Sequence, residues 1–445
     1  MTAIYGYRLY GERYAGNHDR YLGQLLESQW YSQENIDKLV EKKFNYIFRY
    51  AIDNVPYYRE LVKKGAINPS DIKGIEDIHK LPILTKEEIR NNPEHFVSDK
   101  FKKEKLITIN TSGTTGKTLK IYVDKDSRRY GYAFFSRFKN WLGVNESHKN
   151  ITFAGRGIVS PDDSSPPFWR INPAWNNYLF SSYHLSPHNM KYYVEKMKKI
   201  QPCYIDSYPS SIFVIAKYMK EKGISGIYPK AIITSSETLF DYQRKIISEI
   251  FNCPIYDQYG CAEQVVFVSQ CEKGKYHVHP EFGIVEYLKE DGSKAKEGEP
   301  ARLICTGFTN LAMPLIRYDI GDTGIMSKNK CSCGRSFPVI EKIIGRTDDI
   351  LVMGDGRQVG RLDPVFKGLK TIQEAQIIQE NYDKVTLRIV PGNDYKESDS
   401  YGVVRELKKR LGEQTEITVA IVSKIPRSEN GKFRAVISKV NKNIC

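Results

Sequence analysis

Residues Thr111 to Thr118 read TSGTTGKT, and the kind of phosphate loop this is decides the fold. A Walker loop needs four residues between its two glycines and a lysine directly after the second. Gly113 and Gly116 have only two residues between them, and Thr111 stands where the earlier glycine should be. The Walker reading fails on spacing. What is left is a Gly/Ser/Thr-rich loop entered from Leu106-Ile107-Thr108-Ile109 and left through Leu119 to Val123, two runs that read as strands. Glycines let backbone close around an anion, and the amides with the hydroxyls of Thr111, Ser112, Thr114 and Thr115 offer donors to phosphate oxygens. Taken alone, the octapeptide also fits a Gly/Thr hairpin turn with a solvated Lys117.

The chain has 445 residues, 40% of them hydrophobic, which supports a large core and two or three domains. No window approaches eighteen consecutive apolar residues, and Met1 to Arg8 lacks the apolar centre of a signal peptide. These features predict a cytoplasmic protein without membrane insertion. The formal charge of +14 (67 basic minus 53 acidic) suits an anionic partner but is scattered along the chain. A basic nucleic-acid-binding protein is the alternative of another class. The compact Lys/Arg stripe with interleaved aromatics that it requires is missing, so no nucleic acid is expected as a partner. Of eight cysteines, Cys203, Cys253, Cys305 and Cys445 show no partner spacing and read as inert.

Apolar and aromatic residues from about Glu34 to Lys64 recur at helical spacing, interrupted at Asn54-Val55-Pro56, and Thr85 to Glu88 is a capping box. The first hundred residues therefore read as helical. Beyond the opening loop, Tyr208 to Ser211 leads into a helix closed near Gly223. Ala231 to Thr234 reads as a buried strand, Thr238 to Phe251 as a helix and Pro254 to Gln258 as the next strand. That alternation argues for a parallel sheet. Gly283 to Phe308 reads as a hairpin turning at Glu290 to Ser293, and Ser160 to Asn177 as a long loop. Near the C-terminus, Lys384 to Val390, a helix ending near Gly412, and Glu416 to Val422 form a small α+β pattern.

Four further polar clusters follow the opening loop: Tyr259 to Glu263 (YGCAE), Arg317 to Asp322 (RYDIGD), Gly345 to Asp349 (GRTDD) and Pro426 to Lys432 (PRSENGK). In this order and spacing they resemble the core motifs of adenylate-forming enzymes: acyl-CoA synthetases, peptide-synthetase adenylation domains and luciferase. The resemblance runs from about residue 40 to the C-terminus. Ala51 to Arg59 (AIDNVPYYR) and Leu81 to Lys86 (LPILTK) look like the phenylacetate-coenzyme A ligase branch. Pro166 to Trp169 (PPFW) and Asp206 to Ser210 (DSYPS) are similar to members associated with capsular polysaccharide synthesis.

The resemblance implies an α/β fold: a large N-terminal ATP- and acid-binding domain with mixed sheets and helices, residues 1–345, and a small mobile α+β C-terminal lid domain, residues 346–445. It also implies a chemistry. The loop, Thr111 to Lys117, would hold the β- and γ-phosphates of ATP while a carboxylate attacks the α-phosphate. Two anions must meet, so positive charge and a metal are needed there. By the resemblance Glu263 ligates Mg²⁺, Tyr259 stacks on adenine beside Gly260, and Ser236 and Glu237 line the adenine loop. Asp322 accepts the ribose hydroxyls, with Arg346 close by. Lys432 bridges carboxylate and α-phosphate, and Asp348 is the hinge that swaps Lys432 out for acyl transfer. Coenzyme A is the default acceptor, and an amine or hydroxyl of a sugar or amino acid the alternative. The acid is not identified. Phe153, Trp169, Trp175 and Tyr208 are aromatic candidates for its pocket, and the oligomeric state is open, a homodimer included.

Cys271, His277 and the pair Cys331-Ser332-Cys333 form a Cys₃His set suited to tetrahedral Zn²⁺. Four protein ligands make such a zinc structural. His279 reads as a neighbour or a surface residue.

Overall fold

The computed structural model describes residues 2–111, 119–154, 158–160, 163, 165–186, 188–346, 351–354, 358–359, 362, 365, 371–427 and 433–440. The N-terminal part is helical: α1 (Thr2–Arg13), α2 (His18–Ser28), α3 (Gln33–Asn54), α4 (Pro56–Lys63) and α5 (Lys86–Asn91). Helix α3 starts where the Ser32 side chain accepts the Asn35 N–H. It stops at Val55, which is extended (φ −114°, ψ 122°) because Pro56 disfavours helical backbone in the residue before it. Pro56 then opens α4, where its missing N–H costs nothing. At α5 the capping box is complete, with the Thr85 hydroxyl and amide both bound to Glu88.

Strands β1 (Ile107–Thr111) and β2 (Leu119–Val123) pair antiparallel, so the octapeptide joins two hydrogen-bonded strands. Helix α6 (Lys125–Trp141) follows, its first amides capped by the Asp124 carboxylate. Next come β3 (Asn150–Ala154), β4 (Trp169–Asn172), β5 (Asn177–Ser181), α7 (Met190–Ile200), β6 (Tyr204–Ser207), α8 (Pro209–Glu221), β7 (Ala231–Ser235), α9 (Asp241–Phe251) and β8 (Ile255–Gly260). Strands β6, β7 and β8 are parallel, as the strand, helix, strand alternation predicted. Their apolar runs are continuous because helices cover the sheet: Ile205, Ile232 and Ile255 lie in one buried cluster with Val194 and Met197 of α7 and Ile212 and Ile215 of α8. Met190, Tyr193, Val194, Met197 and Ile200 are the buried stripe of α7, a run at three- and four-residue spacing.

Two boundaries differ from expectation. Trp169–Asn172, expected within a loop, is a strand antiparallel to β5, joined to it by a turn in which Asn176 takes φ 53°. Its four residues are too few for alternation to register, and the Pro-rich flank disguises their β propensity. Helix α9 begins at Asp241, three residues later than expected, because Phe240 is extended and its N–H is held by the Gln243 side chain.

Strands β9 (Phe267–Gln270), β10 (Tyr276–Val278), β11 (Gly283–Leu288), β12 (Pro300–Gly307), β13 (Tyr318–Ser327) and β14 (Val339–Arg346) complete the large sheet. Among the described residues it has twelve strands, in the order β11-β12-β13-β14-β10-β9-β8-β7-β6-β3-β5-β4. Strands β11 and β12 form the expected hairpin. After the short pair β15 (Leu351–Val352) and β16 (Gln358–Val359), a separate sheet contains β17 (Ile372–Asn381), β18 (Lys384–Pro391), β19 (Glu416–Ile421) and β20 (Val436–Ser438), in the order β19-β18-β17-β20. Helix α10 (Glu397–Leu411) packs on it through Val403, Leu407 and Leu411.

Candidate active site and metal centre

A cleft of about 2020 Å³ opens where the parallel strands β7 and β8 end. Parallel α/β sheets place ligands at such strand ends, where backbone groups are no longer spent on the ladder. Ser235 and Ser236 reach the cleft from the end of β7, Tyr259, Gly260 and Cys261 from the end of β8, and Thr108 from β1. The hairpin that carries the opening octapeptide thus borders the same space as YGCAE. Ser236 takes φ 71°, a left-handed conformation that side chains rarely adopt and that often marks functional turns.

The motif residues meet in pairs. The Tyr259 hydroxyl donates to Asp322 Oδ2 at 2.6 Å. Burial, and then the Asp322 charge, hold that phenol far above its usual range, so it remains a donor. Asp322 lies on β13 opposite Arg346 of β14. Glu263 is 5% exposed; Oε1 accepts the Tyr318 hydroxyl at 3.0 Å and lies 3.8 Å from Lys86 Nζ. Lys86 is the first residue of α5, and the segment before it is tied to β13 by Leu84 N–H to Arg317 O and Asp319 N–H to Leu84 O, each 2.9 Å. One held carboxylate suits Mg²⁺, which takes one or two protein oxygens and keeps water and phosphate as its other ligands.

Arg317 turns the other way. It has φ 50°, pairs with Glu286 at 2.9 and 3.0 Å, and binds the carbonyls of His79 and Leu81, which clamps the helical region onto β11 and β13. Glu237 also leaves the cleft: its carboxylate accepts Ser210 N–H, Ser210 Oγ–H and Phe433 N–H. Thr111 ends β1 opposite Leu119. Ser112, Gly113, Thr114, Thr115, Gly116, Lys117, Asp348 and Lys432 lie outside the described residues.

The four aromatic candidates for the acid pocket are packing residues. Phe153 and Trp169 pack on Phe180, Trp175 on Tyr14, and Tyr208 is 9% exposed at the start of α8. Besides Tyr259, the aromatic lining of the cleft includes Tyr5, Tyr7, Phe101, Tyr132, Phe135, Phe267 and Phe282. Sequence reasoning missed these: Tyr5 and Tyr7 lie on α1, outside the segment that carries the resemblance, and the others lie between the motifs, such as Tyr132 and Phe135 on α6. It also missed Lys86, whose only sequence signal was its place in LPILTK.

At the opposite edge of β9 and β10, the ligand atoms of Cys271, His277, Cys331 and Cys333 all lie within 4.8 Å of one another. Cys271 Sγ is 3.6 Å from Cys331 Sγ, and Cys333 Sγ is 3.4 Å from His277 Nε2. With Zn–S of about 2.3 Å and Zn–N of about 2.0 Å, tetrahedral geometry puts neighbouring ligand atoms about 3.5–3.8 Å apart, so the set fits that ion. Two tight turns create it. Cys271 follows β9 in a turn closed by Gly274 (φ 75°), and Cys333 precedes Gly334 (φ 85°). His277 Nδ1 faces the Phe337 carbonyl at 3.3 Å, which leaves Nε2 toward the sulfurs, and burial pushes its pKa down to about 4. His279 is buried and outside the set: Arg137 donates to Nδ1 at 2.5 Å, and Nε2 meets Ser269 Oγ at 2.8 Å.

A family profile described as the CapK C-terminal domain matches residues 351–439. Over 99% of the chain, the sequence is 30% identical to Protein CapK of Staphylococcus aureus, covering 96% of that protein. It is 22% identical to a phenylacetate-coenzyme A ligase of Thermus thermophilus, covering 91% of this chain and 97% of that one. Among solved structures, 2-hydroxyisobutyryl-CoA ligase in its postadenylation state superposes with a TM-score of 0.73 at 17% identity, covering 92% of this chain and 91% of that one. The same ligase in its thioesterification state gives 0.60 at 18% identity, with coverage of 92% and 91%. The chain therefore belongs to the CapK family, within the phenylacetate-coenzyme A ligase-like branch of the adenylate-forming enzymes.

Proposed function

We propose that the protein is an ATP-dependent, AMP-forming carboxylic acid ligase with two half-reactions in one cleft. In the first, an acid carboxylate oxygen bonds to the α-phosphorus of ATP as the bond to the β-phosphate oxygen breaks, giving an acyl-adenylate and pyrophosphate. In the second, an acceptor nucleophile attacks the acyl carbon, AMP leaves, and the acceptor gives up its proton. The observation that carries the reading is that Ser236, Tyr259 and Gly260 line one cleft with strand β1, while Tyr259 donates to Asp322 and Glu263, from the same YGCAE motif, pairs with Lys86.

Each residue then has a job. Tyr259 and Gly260 form a wall for adenine with Ser236, while Asp322 accepts ribose hydroxyls with Arg346 beside it. Thr111 to Lys117 hold the β- and γ-phosphates. Glu263 would hold Mg²⁺, which supplies charge neutralisation where two anions approach, and Lys86 adds a cation at 3.8 Å from that carboxylate. Lys432, on a small domain of residues 346–445 that moves about Asp348, bridges the acid and the α-phosphate. Zn²⁺ at Cys271, His277, Cys331 and Cys333 is structural, and the protein works in the cytoplasm.

Coenzyme A is the acceptor we favour, in line with the coenzyme A ligases among its relatives. A second reading, transfer to an amine or hydroxyl of a sugar or amino acid, is favoured by the full-length similarity to CapK. A panel of acids with ATP, assayed for AMP release with coenzyme A and then with amino sugars, separates the two. Acid-dependent AMP release stimulated by coenzyme A supports the first. Stimulation by the amine alone replaces it with the second.

A further inference from the structure

Glu237 follows Ser235 and Ser236 at the cleft, yet its carboxylate points at the small domain. Oε2 accepts the Ser210 N–H at 3.0 Å; Oε1 accepts the Ser210 hydroxyl at 3.1 Å and the Phe433 N–H at 2.6 Å. Phe433 is 196 positions away in sequence and comes directly after Lys432. Its own segment is fixed to the small sheet, since Ile377 N–H donates to Ala435 O at 2.8 Å and Gln376 Nε2 donates to Arg434 O at 2.8 Å. One carboxylate on the large domain thus grips the segment that leads into β20, at the residue directly after the lysine.

The surrounding contact is mixed. Phe240 and Tyr242, from the stretch after Glu237, pack against the core of the small domain, and Lys217 of α8 donates to Ile372 O at 2.9 Å. Partial burial raises the Glu237 pKa, a cost offset by the donors from Phe433 and Ser210. A carboxylate serves here because it only accepts. Glutamine would turn its NH₂ toward either Ser210 N–H or Phe433 N–H, whichever way the amide flips.

We propose that Glu237 is a positioning residue, a latch that docks the Lys432 segment in the orientation used for adenylation, and not a ligand of the nucleotide. The assignment rests on the ligase reading above. It accords with the better superposition on the postadenylation arrangement, 0.73 against 0.60. A contact made by a few side chains, with one carboxylate beside the lysine, can hold the domain and still release it for acyl transfer. A hydrogen bond to a charged acceptor shifts such a docking equilibrium by roughly ten- to a hundredfold.

The test uses the full-length protein and Glu237→Gln, with Ser210→Ala as the milder variant. Hydrogen exchange read by mass spectrometry on a peptide spanning Phe433 should accelerate by about ten- to a hundredfold in Glu237→Gln and less in Ser210→Ala. Acid-dependent ATP–pyrophosphate exchange at saturating ATP should fall by a similar factor, with an unchanged KM for ATP. Acyl transfer from a supplied acyl-adenylate should keep its rate. A raised KM for ATP with unchanged kcat would make Glu237 a nucleotide ligand and overturn the proposal. Equal loss in both half-reactions with a lowered melting temperature, or unaltered exchange at Phe433, would overturn it too. If the wild-type protein activates no acid, the ligase reading fails, while the Phe433 measurement still decides whether Glu237 holds that segment.

Discussion

Arg137 and Glu281 have side chains 0% and 2% exposed, and their guanidinium and carboxylate meet at 2.6 Å. Arg137 also donates to His279 and to the Leu25 carbonyl, so one residue of α6 ties α2 to the turn between β10 and β11. Removing one partner of a buried pair strands the other charge, which costs about 3–5 kcal/mol, whereas an apolar replacement of both is often neutral. Arg137→Ala should therefore lose about that much in denaturant unfolding, and Arg137→Met with Glu281→Leu should recover most of it. A loss below about 1 kcal/mol would show that the pair carries no stability. His279 adds a pH dependence. Burial, then the Arg137 charge, holds its pKa well below 6.5, so below pH 6.5 the unfolded chain takes up a proton that the folded chain refuses. Stability from this residue is complete above pH 6.5 and is lost as pH falls. The melting temperature should drop between pH 7 and 5.5, less steeply in His279→Gln; equal slopes would remove His279 as the cause. The sequence alone singled out Tyr259, Glu263 and Asp322 as candidates, because spacing within a motif needs no structure to be seen; folding then brings Tyr259 to Asp322 and Glu263 to Lys86. The sequence hid Lys86 and Ser210, whose partners lie far along the chain and meet them only on folding.

Elements were legible where one physical signal dominated. The break at Asn54 to Pro56, the capping box at Thr85 and the buried runs of β7 and β8 each follow from a local rule, and each appears. The edge strand β4 was not legible, since four residues pair with β5 through a turn that only tertiary contact selects. Two turns closed by Gly274 and Gly334 present three sulfurs, strand β10 adds the His277 imidazole, and in such sites metal binding is coupled to folding. Metal analysis should find about one zinc per chain, as expected for a single four-ligand site. Cys331→Ser and Cys333→Ser should each lose it, and a chelator should lower the melting temperature of the wild-type protein. A full complement of zinc in the double variant would refute the centre.

The whole molecule was legible as a class before it was legible as a shape. Five motifs in order pointed to an adenylate-forming ligase, yet nothing in one sequence says how residues 372–438 sit on α8 and α9. That placement depends on contacts such as Glu237 to Phe433 and Lys217 to Ile372. If the small domain alternates, Lys432 serves only the first half-reaction. Lys432→Ala should slow adenylation by about 10²–10³, the usual loss on removing a charge that stabilises a transition state, and leave acyl transfer from a supplied acyl-adenylate intact. Asp348→Pro should do the reverse by blocking the hinge. Equal slowing of both steps in both variants would rule out alternation. An adenylate-forming ligase of this kind builds an acyl-adenylate within a single chain, before any acceptor binds. The direct measurement is exchange of labelled pyrophosphate into ATP with a panel of carboxylic acids and no acceptor present. Acid-dependent exchange without coenzyme A is expected; bound ATP with no exchange for any acid would overturn the adenylation reading.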